Sequence, residues 1–555
     1  MRIGKLVLRA VSLFLFFCTH SAAFGQTLSP LAFEQKVQKV IAKVSPACVK
    51  ISPYDQSGKN RFGAFSGVIV TADGFILTAA HATVANEIYQ VFLPDGRTYL
   101  GVALGRIPVV DAALIKIEAG PVILPYCEMG WSQNLKVKQA CLSIAYPASI
   151  ADLEKPVVRL GYVDRTLTPE GKLQTTCLME PGDSGGPVFD LSGQVIGLHS
   201  KIENSLTVNL ENPVDNYRKY WKALTIPKDY PVDVYPDAEQ TEKTTDEPAA
   251  IVQEIPFAQL LNSSKLNHKA TVGIESALGS VVMQAWGSIV SLNDGRGNYV
   301  VSKSSIVGDS PVLTTDDLKT VKAVIVKRDS VNDLILLKAE GLASGIKLKT
   351  ALAHTLSIKE GAFLFSPSFM DSTKLGVLGS NLIKVEVQTR PALGVLFTTV
   401  GQSVKIEGFT MDVNQQFGLQ VGDLVDSLNH THVKSATKAT LIGAVMKPGD
   451  RIAYSLLRKN ERLNIDALVQ KMPKVYNKHI ADTFDGGASL RNEGFDSVFV
   501  HDTAIKPEEC GGPVFDQSGN FCGINIARVS RTSTIALPPY LISRFVSDAL
   551  HGKGL

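Results

Sequence analysis

The chain has 555 residues, so it is too long for one core and is expected to contain three or four domains of ~150 residues. Its composition, 45% hydrophobic and 20% charged, excludes collagen-like, coiled-coil and generally disordered proteins. The net charge of +3 comes from Arg2, Lys5 and Arg9, because 53 basic and 53 acidic residues remain beyond residue 25. A neutral chain is not expected to bind nucleic acid or a membrane surface.

Residues 1–25 have the pattern of a secretory signal peptide. A basic start precedes an apolar run from Ala10 to Cys18, and small residues follow around Ala23. An anchoring helix is the alternative, but the run has 9 residues and a membrane span needs about 20. We therefore predict cleavage near residue 25, no membrane span, and an exported protein that is periplasmic or extracellular.

The mature chain begins with a helical pattern and continues with β-rich segments. Residues 28–44 carry apolar side chains at helical spacing. Short β-rich runs then alternate with turns such as Asp73-Gly74, which predicts an all-β barrel region up to about residue 205. Residues 233–250 are rich in acid, Thr and Pro and lack apolar periodicity, so residues 233–255 are predicted to be a linker.

Six cysteines lie beyond the signal peptide, and none forms a Cys-x-x-Cys pair. The sequence therefore predicts no metal site and no redox motif. Cys127 and Cys141 could form a disulfide across a short loop. Alternatively they are two separate, buried small side chains.

Four sequence blocks occur twice, in the same order, which predicts a duplicated fold. Residues 63–70, 73–78, 111–116 and 187–193 are echoed by residues 284–290, 296–301, 333–338 and 513–519. We assign residues 26–232 to a first copy and residues 256–389 and 472–555 to a second copy.

The most specific motif is Gly-Asp-Ser-Gly-Gly-Pro at residues 182–187. A serine in a glycine-rich turn can expose its hydroxyl while nearby backbone N–H groups converge to hold an oxyanion. Ser184 still needs a base, which His81 supplies, and Asp111 can orient that imidazole. The order is His, Asp, Ser, with gaps of 30 and 73 residues.

These motifs resemble the chymotrypsin-type serine proteases, and more closely the HtrA/DegP-like branch, over about residues 30–205. Residues 66–81, 111–117 and 182–187 carry the resemblance. It implies that His81 is the general base, Asp111 the orienting residue and Ser184 the nucleophile. The backbone N–H groups of Gly182 and Ser184 would form the oxyanion hole, without a cofactor or metal.

The substrate pocket is predicted from the position six residues before the nucleophile. Trypsin-like members carry an acid there, whereas this chain has Leu178. An apolar residue favours an uncharged, aliphatic substrate side chain. Leu178 and Leu198 are the predicted pocket residues.

The second copy lacks this machinery. Alignment of the turns puts Ser304 at the histidine position, Asp333 at the aspartate position and Cys510 at the nucleophile position. Glu508 replaces the oxyanion-hole glycine, and its carboxylate would oppose a developing oxyanion. An inactive pseudo-protease is the preferred interpretation, and a cysteine protease that uses Cys510 is the alternative.

The second copy has 104 more residues than the first between its aspartate and nucleophile positions, which is enough for an inserted domain. Residues 390–471 resemble a PDZ domain of the HtrA kind, and a generic β-rich insert is the alternative. The resemblance implies that Leu393, Gly394 and Val395 form the loop whose backbone amides capture a peptide C-terminal carboxylate.

The sequence therefore predicts a mainly β chain with two tandem chymotrypsin-like double β-barrels, the second carrying a PDZ-like insertion. The predicted function is an exported serine endopeptidase that acts on unfolded or damaged polypeptides. A non-proteolytic chaperone or peptide-binding scaffold with a latent site is the alternative. The resemblance also implies a homo-oligomer, although the tandem copy could replace some of those contacts.

Overall fold

The computed structural model describes residues 28–54, 64–150, 153–239, 254–263 and 268–552, the last range with gaps at 293, 344, 350–353, 370–372, 388–390, 402, 411–416, 435, 445 and 472–479. The predicted signal peptide and most of the predicted linker lie outside the described residues. Within the described ranges, no helix is both long and apolar enough to cross a membrane.

The first copy consists of two closed barrels of six antiparallel strands. The first barrel contains β1 (Cys48–Pro53), β2 (Phe65–Ile69), β3 (Phe75–Thr78), β4 (Ile88–Phe92), β5 (Thr98–Ile107) and β6 (Ala112–Ile117). The second contains β7 (Ala140–Ala145), β8 (Val157–Arg165), β9 (Leu173–Thr175), β10 (Pro187–Asp190), β11 (Val195–Ile202) and β12 (Asn209–Pro213). The predicted mainly β fold class, with a chymotrypsin-like double barrel, is confirmed.

The second copy repeats this strand order. Its first sheet contains β13 (Thr271–Leu278), β14 (Val281–Ser291), β15 (Tyr299–Lys303), β16 (Asp309–Thr314), β17 (Thr320–Lys322), β18 (Val324–Asp329), β19 (Leu334–Lys338) and β20 (Ile346–Lys347). This sheet is open rather than closed. The strand equivalent to β5 is divided at Ala323 into β17, which pairs with β16, and β18, which pairs with β19.

The second barrel of this copy is closed and interrupted by an insertion. It contains β21 (Phe363–Ser366), β22 (Lys374–Val385), β31 (Phe495–His501), β32 (Pro513–Asp516), β33 (Phe521–Arg528) and β34 (Thr534–Leu537). The neighbour order β32-β33-β34-β31-β22-β21 reproduces the order β10-β11-β12-β9-β8-β7 of the first copy.

Between β22 and β31 the chain forms a six-stranded sheet and a two-stranded sheet (β23 and β30), with a hydrophobic core of their own. The strands are β23 (Pro391–Ala392), β24 (Val395–Val400), β25 (Ser403–Phe409), β26 (Leu424–Leu428), β27 (Thr431–His432), β28 (Arg451–Arg458), β29 (Glu461–Leu468) and β30 (Gln470–Lys471). We call this part the insert. Leu278, at the end of β13, joins the core of the insert.

The six described helices are mostly peripheral: α1 (Pro30–Val44), α2 (Val214–Lys219), α3 (Trp221–Leu224), α4 (Phe257–Ser263), α5 (Ala436–Ala444) and α6 (Pro539–His551). The Ser29 side chain caps α1 by accepting a hydrogen bond from the N–H of Ala32. The apolar face of α1 contacts both copies, because Phe33 stacks on Phe363 with ring centroids 6.0 Å apart. Helix α1 therefore packs against both copies.

The six described cysteines are buried free thiols. Cys127 donates to the carbonyl of Val44, whereas Cys141 Sγ lies 3.8 Å from Cys177 Sγ. The Cys127–Cys141 disulfide is therefore not present, and the alternative of separate buried side chains describes the structure.

Candidate active site

The side chains of His81, Asp111 and Ser184 meet between the two barrels of the first copy. His81 lies in a short 3-10 turn after β3, Asp111 precedes β6, and Ser184 precedes β10. His81 Nε2 is 2.8 Å from Ser184 Oγ, and His81 Nδ1 is 3.0 Å from Asp111 Oδ2. The His81 side chain is 48% exposed, so the site is open to a substrate.

The carboxylate of Asp111 is held by several donors. Its Oδ1 accepts the backbone N–H of His81 at 3.0 Å, and its Oδ2 accepts the hydroxyl of Ser200 at 2.5 Å. Burial alone would raise the pKa of Asp111, but the hydrogen bonds from His81 and Ser200 outweigh it, so the pKa lies below its ordinary value. Asp111 therefore stays ionised and fixes the orientation of the imidazole.

Two backbone N–H groups are available beside Ser184. The carbonyl of Pro181 accepts the N–H of Ala148 at 2.8 Å, which turns the N–H of Gly182 to the opposite side of that peptide plane. Gly182 needs a positive φ of 96° for this turn. Within the described residues, the N–H groups of Gly182 and Ser184 have no hydrogen-bond partner, so both can donate to a substrate oxygen.

A side chain at Gly182 is expected to destroy this arrangement. A Cβ there would lie 2.5 Å from the carbonyl oxygen of Tyr146, and φ would remain unfavourable. Gly182→Ala is expected to lower kcat about 10²- to 10³-fold, the usual effect of losing one oxyanion-hole donor. Steady-state kinetics on a peptide substrate would check this.

Gly96→Ala is the matched control, because Gly96 also has a positive φ, 87°, but no atom lies within 4 Å of its added Cβ. Equal loss of kcat in the two variants would show that backbone strain, rather than the oxyanion hole, causes the effect.

The two predicted pocket residues lie in different surroundings. Leu178 lines a cavity of about 200 Å³ whose opposite wall includes Phe363 and Val377 of the second copy. Leu198 is 1% exposed and belongs to the main core of the first copy. The prediction that Leu198 lines the substrate pocket is therefore wrong, because its position on β11 points it into that core.

In the second copy the lysine side chain of Lys303 makes the contact to Asp333 that the imidazole of His81 makes to Asp111 in the first copy. Lys303 Nζ lies 2.6 Å from Asp333 Oδ2 and also donates to the carbonyls of Arg491 and Ile526. The Lys303 side chain is 1% exposed, so this ion pair is closed to solvent. Among the described residues of the second copy, no imidazole contacts this aspartate.

The position of the histidine is taken by Ser305, one residue beyond the predicted Ser304. The backbone N–H of Ser305 donates to Asp333 Oδ1 at 2.7 Å, as the N–H of His81 does to Asp111 Oδ1. The prediction of Ser304 was wrong by one residue, because the alignment followed the preceding glycine turn rather than this contact.

The nucleophile position of the second copy is buried, and its backbone N–H is already hydrogen-bonded within the protein. Cys510 is fully buried, and burial raises the pKa of its thiol. Residues Pro507–Glu509 form a 3-10 turn in which the carbonyl of Pro507 accepts the N–H of Cys510 at 3.3 Å. This arrangement opposes the cysteine protease alternative, because neither the thiol nor the N–H of Cys510 is available.

Comparison with known proteins assigns this region. Residues 65–198 match the model of the trypsin-like peptidase domain. A probable periplasmic serine endoprotease DegP-like of Marinomonas sp. is 35% identical over 154 residues, which are 27% of this chain and 32% of the relative. Residues 65–198 therefore form a trypsin-like peptidase domain, and this part of the chain is similar to HtrA/DegP-like serine proteases. The comparisons confirm the predicted resemblance and support the predicted class of serine-type endopeptidase.

Further relatives extend the similarity beyond the peptidase domain. The putative serine protease HhoA of Synechocystis sp. is 31% identical over 182 residues, 30% of this chain and 45% of the relative. A DegP-like relative of Pseudomonas fluorescens is 23% identical over 399 residues, 71% of this chain and 76% of the relative. The chain thus spans less than half of the first two relatives and about three quarters of the third.

The chain is also similar to a solved structure. The serine endoprotease from Yersinia pestis is 15% identical and has a TM-score of 0.30, with 79% of this chain and 98% of that chain covered.

Several site residues were missed by sequence reasoning. Ser200, Lys303 and Ser305 contact the two aspartates, and Arg159 forms a buried ion pair with Asp183 at 2.7 Å, next to Ser184. Ser200 lies on β11, a short distance after the nucleophile motif in the chain. Its position after that motif could have identified it from the sequence. The buried charges gave no signal, because a lone Arg or Lys in a strand is ordinarily exposed.

Proposed function

We propose that the chain is an exported serine endopeptidase that hydrolyses peptide bonds of unfolded or damaged polypeptides. The distance of 2.8 Å between His81 Nε2 and Ser184 Oγ, with Asp111 behind the imidazole, carries the proposal. The signal-like start and the relatives described as periplasmic support the export. The relatives that are named proteases support polypeptide substrates.

The arrangement supports an acyl-enzyme mechanism. His81 accepts the hydroxyl proton of Ser184 as the oxygen attacks the substrate carbonyl. The N–H groups of Gly182 and Ser184 donate to the oxyanion, and Asp111 stabilises the imidazolium. The imidazolium then protonates the leaving amine, and a water activated by the same imidazole releases the acyl group from Ser184.

Cleavage of a permanently unfolded substrate tests this proposal. Reduced, carboxymethylated lactalbumin should yield new peptides with the purified chain, with and without a metal chelator. The alternative of a non-proteolytic scaffold predicts binding of that substrate without cleavage. Absence of cleavage, together with absence of fluorophosphonate labelling, would overturn the endopeptidase proposal.

We also propose that the insert binds peptide C-termini. Strand β24 is an edge strand that pairs only with β25 among the described residues, and α5 packs beside it. Gly394 precedes β24 with a positive φ of 68°. The Leu393 side chain reaches Gly443 of α5. An edge strand between a tight loop and a helix can accept an extended peptide as an additional strand.

Peptide binding in a Ser184→Ala background tests this second proposal. A fluorescent peptide with an apolar C-terminal residue should bind about tenfold more tightly than its amidated form, because a charged carboxylate accepts stronger hydrogen bonds. Gly394→Ala should weaken binding. Gly401→Ala is the matched control, since Gly401 also has a positive φ, 63°, and open space around it. Equal affinity for the two peptides would contradict the proposal.

A further inference from the structure

The second copy contacts the first copy through the second barrels of both copies. The equivalent strands β8 and β22 lie against each other, and a Cβ at Gly379 would lie 2.7 Å from the carbonyl of Val158. This arrangement brings together the two loops that join β11 to β12 and β33 to β34. In the first copy this loop, residues 203–208, is largely exposed, whereas residues 529–533 are buried. We call residues 529–533 the buried loop.

A buried hairpin loop is unusual, because loops ordinarily run over the surface where water satisfies their polar groups. The buried loop contains Ser530, Arg531, Thr532 and Ser533, and none of them is more than 8% exposed. Their polar groups must therefore find protein partners. Several of these partners belong to the first copy.

Arg531 contacts the loop between β11 and β12, which is hydrogen-bonded to the segment that leads to the nucleophile. Its side chain is 0% exposed, and its guanidinium donates to the carbonyls of Glu203 at 2.9 Å and Ser205 at 3.3 Å. It also lies 3.4 Å from Asn209 Oδ1, the atom that accepts the N–H of Met179 at 3.3 Å. Arg531 therefore fixes both the exposed loop and, through Asn209, the start of the turn that ends in Ser184.

Thr532 is linked to the same turn through Arg159. Its hydroxyl accepts a hydrogen bond from Arg159 Nη2 at 3.4 Å. Arg159 Nη1 donates to Asp183 Oδ2 at 2.7 Å, and the same oxygen accepts the N–H of Glu180 at 2.9 Å. This ion pair is fully buried, so its geometry depends on the few donors and acceptors around it. The pair holds the turn that aims the N–H of Gly182.

The corresponding place in the second copy differs. Lys374 and Glu509 form the equivalent ion pair, since Lys374 pairs with Ser366 across the strands as Arg159 pairs with Ser143. Next to Lys374 there is a cavity of about 370 Å³, which Leu206 of the first copy lines without filling. The backbone N–H at the nucleophile position of the second copy is already hydrogen-bonded despite this ion pair. The ion pair alone is therefore not sufficient to keep that N–H available.

We propose that Arg531 and Thr532 of the degenerate copy are positioning residues for the nucleophile turn of the first copy. The second copy, which has no chemistry of its own, acts as a permanently attached activating subunit. This inference rests on the proposed endopeptidase function, because it assigns a role in preparing Ser184 for attack.

The test measures the reactivity of Ser184 in the full chain. Arg531→Ala should lower kcat and the rate of fluorophosphonate labelling about 10- to 100-fold, the usual effect of a small displacement of catalytic groups. KM should change less than kcat. Thr532→Val should have a smaller effect in the same direction, and Arg531→Lys should recover part of the loss, because an ammonium can still donate to the two carbonyls.

Arg491→Ala is the matched control. Arg491 is 1% exposed and donates to the carbonyls of Ser330 and Val331, so its loss also removes a buried guanidinium from the second copy. This variant should lose thermal stability and keep the labelling rate of the unmodified chain. A merely structural role for Arg531 predicts that the two variants behave alike.

The outcomes separate this inference from the proposed function. If the unmodified chain labels and a folded Arg531→Ala variant labels equally fast, the positioning role is wrong and the endopeptidase stands. If the unmodified chain never labels, the endopeptidase fails and this inference with it. If Arg531→Ala does not fold, Thr532→Val and Arg531→Lys decide, and normal labelling rates in both would overturn the inference.

Discussion

Ser184→Ala is expected to lower kcat/KM on a peptide substrate about 10⁶-fold, as the loss of a serine nucleophile does in other serine proteases. In the proposed mechanism, Ser184 Oγ is the atom that forms a covalent bond to the substrate. Its loss should leave the fold intact, because the hydroxyl contacts His81 rather than the core. Progress curves for both forms, with thermal unfolding as a check on folding, measure the effect.

Cys510→Ala is the matched variant in the second copy. It removes the side chain at the equivalent, fully buried position and should leave kcat unchanged. Activity that survived Ser184→Ala and disappeared in Cys510→Ala would reverse the roles of the two copies.

Asp111→Asn is expected to lower kcat about 10⁴-fold with little change in structure. The carboxylate oxygens of Asp111 accept hydrogen bonds from three donors, including His81 Nδ1 at 3.0 Å and the hydroxyl of Ser200 at 2.5 Å. An amide nitrogen at this position donates instead, so it favours the wrong tautomer of His81 and cannot stabilise the imidazolium. Single-turnover acylation kinetics would measure the loss.

Asp333→Asn provides the corresponding control in the second copy. Asp333 forms a buried ion pair with Lys303, so this variant should reduce stability and leave acylation of Ser184 unchanged. A loss of acylation comparable with that of Asp111→Asn would contradict the assignment of chemistry to the first copy alone.

The triad could be predicted because each member lies in a short local motif. The glycine-rich turn around Ser184, the strand end before His81 and the strand start after Asp111 are all visible in sequence. The barrels followed from alternating short apolar runs and turns, and the duplication followed from the repeated blocks. Local patterns of this kind are what a single sequence records most directly.

The missed features depend on contacts between distant segments. Ser305 replaces the predicted Ser304 because the register of β15 against β19 decides which residue reaches Asp333, and a register shift of this kind is not visible in composition. The side chain of Leu198 faces the core because of how β11 pairs with β10, which the sequence alone does not record. The burial of Arg531 depends on how the two copies pack, which no periodicity within either copy encodes.

Mapping a fluorophosphonate adduct on the full chain by mass spectrometry tests the central claim most directly. One copy should react and the other should be inert, so we expect one adduct per chain, on the peptide that contains Ser184. Absence of an adduct on that peptide, or an adduct on the peptide that contains Ser305 or Cys510, would contradict the account.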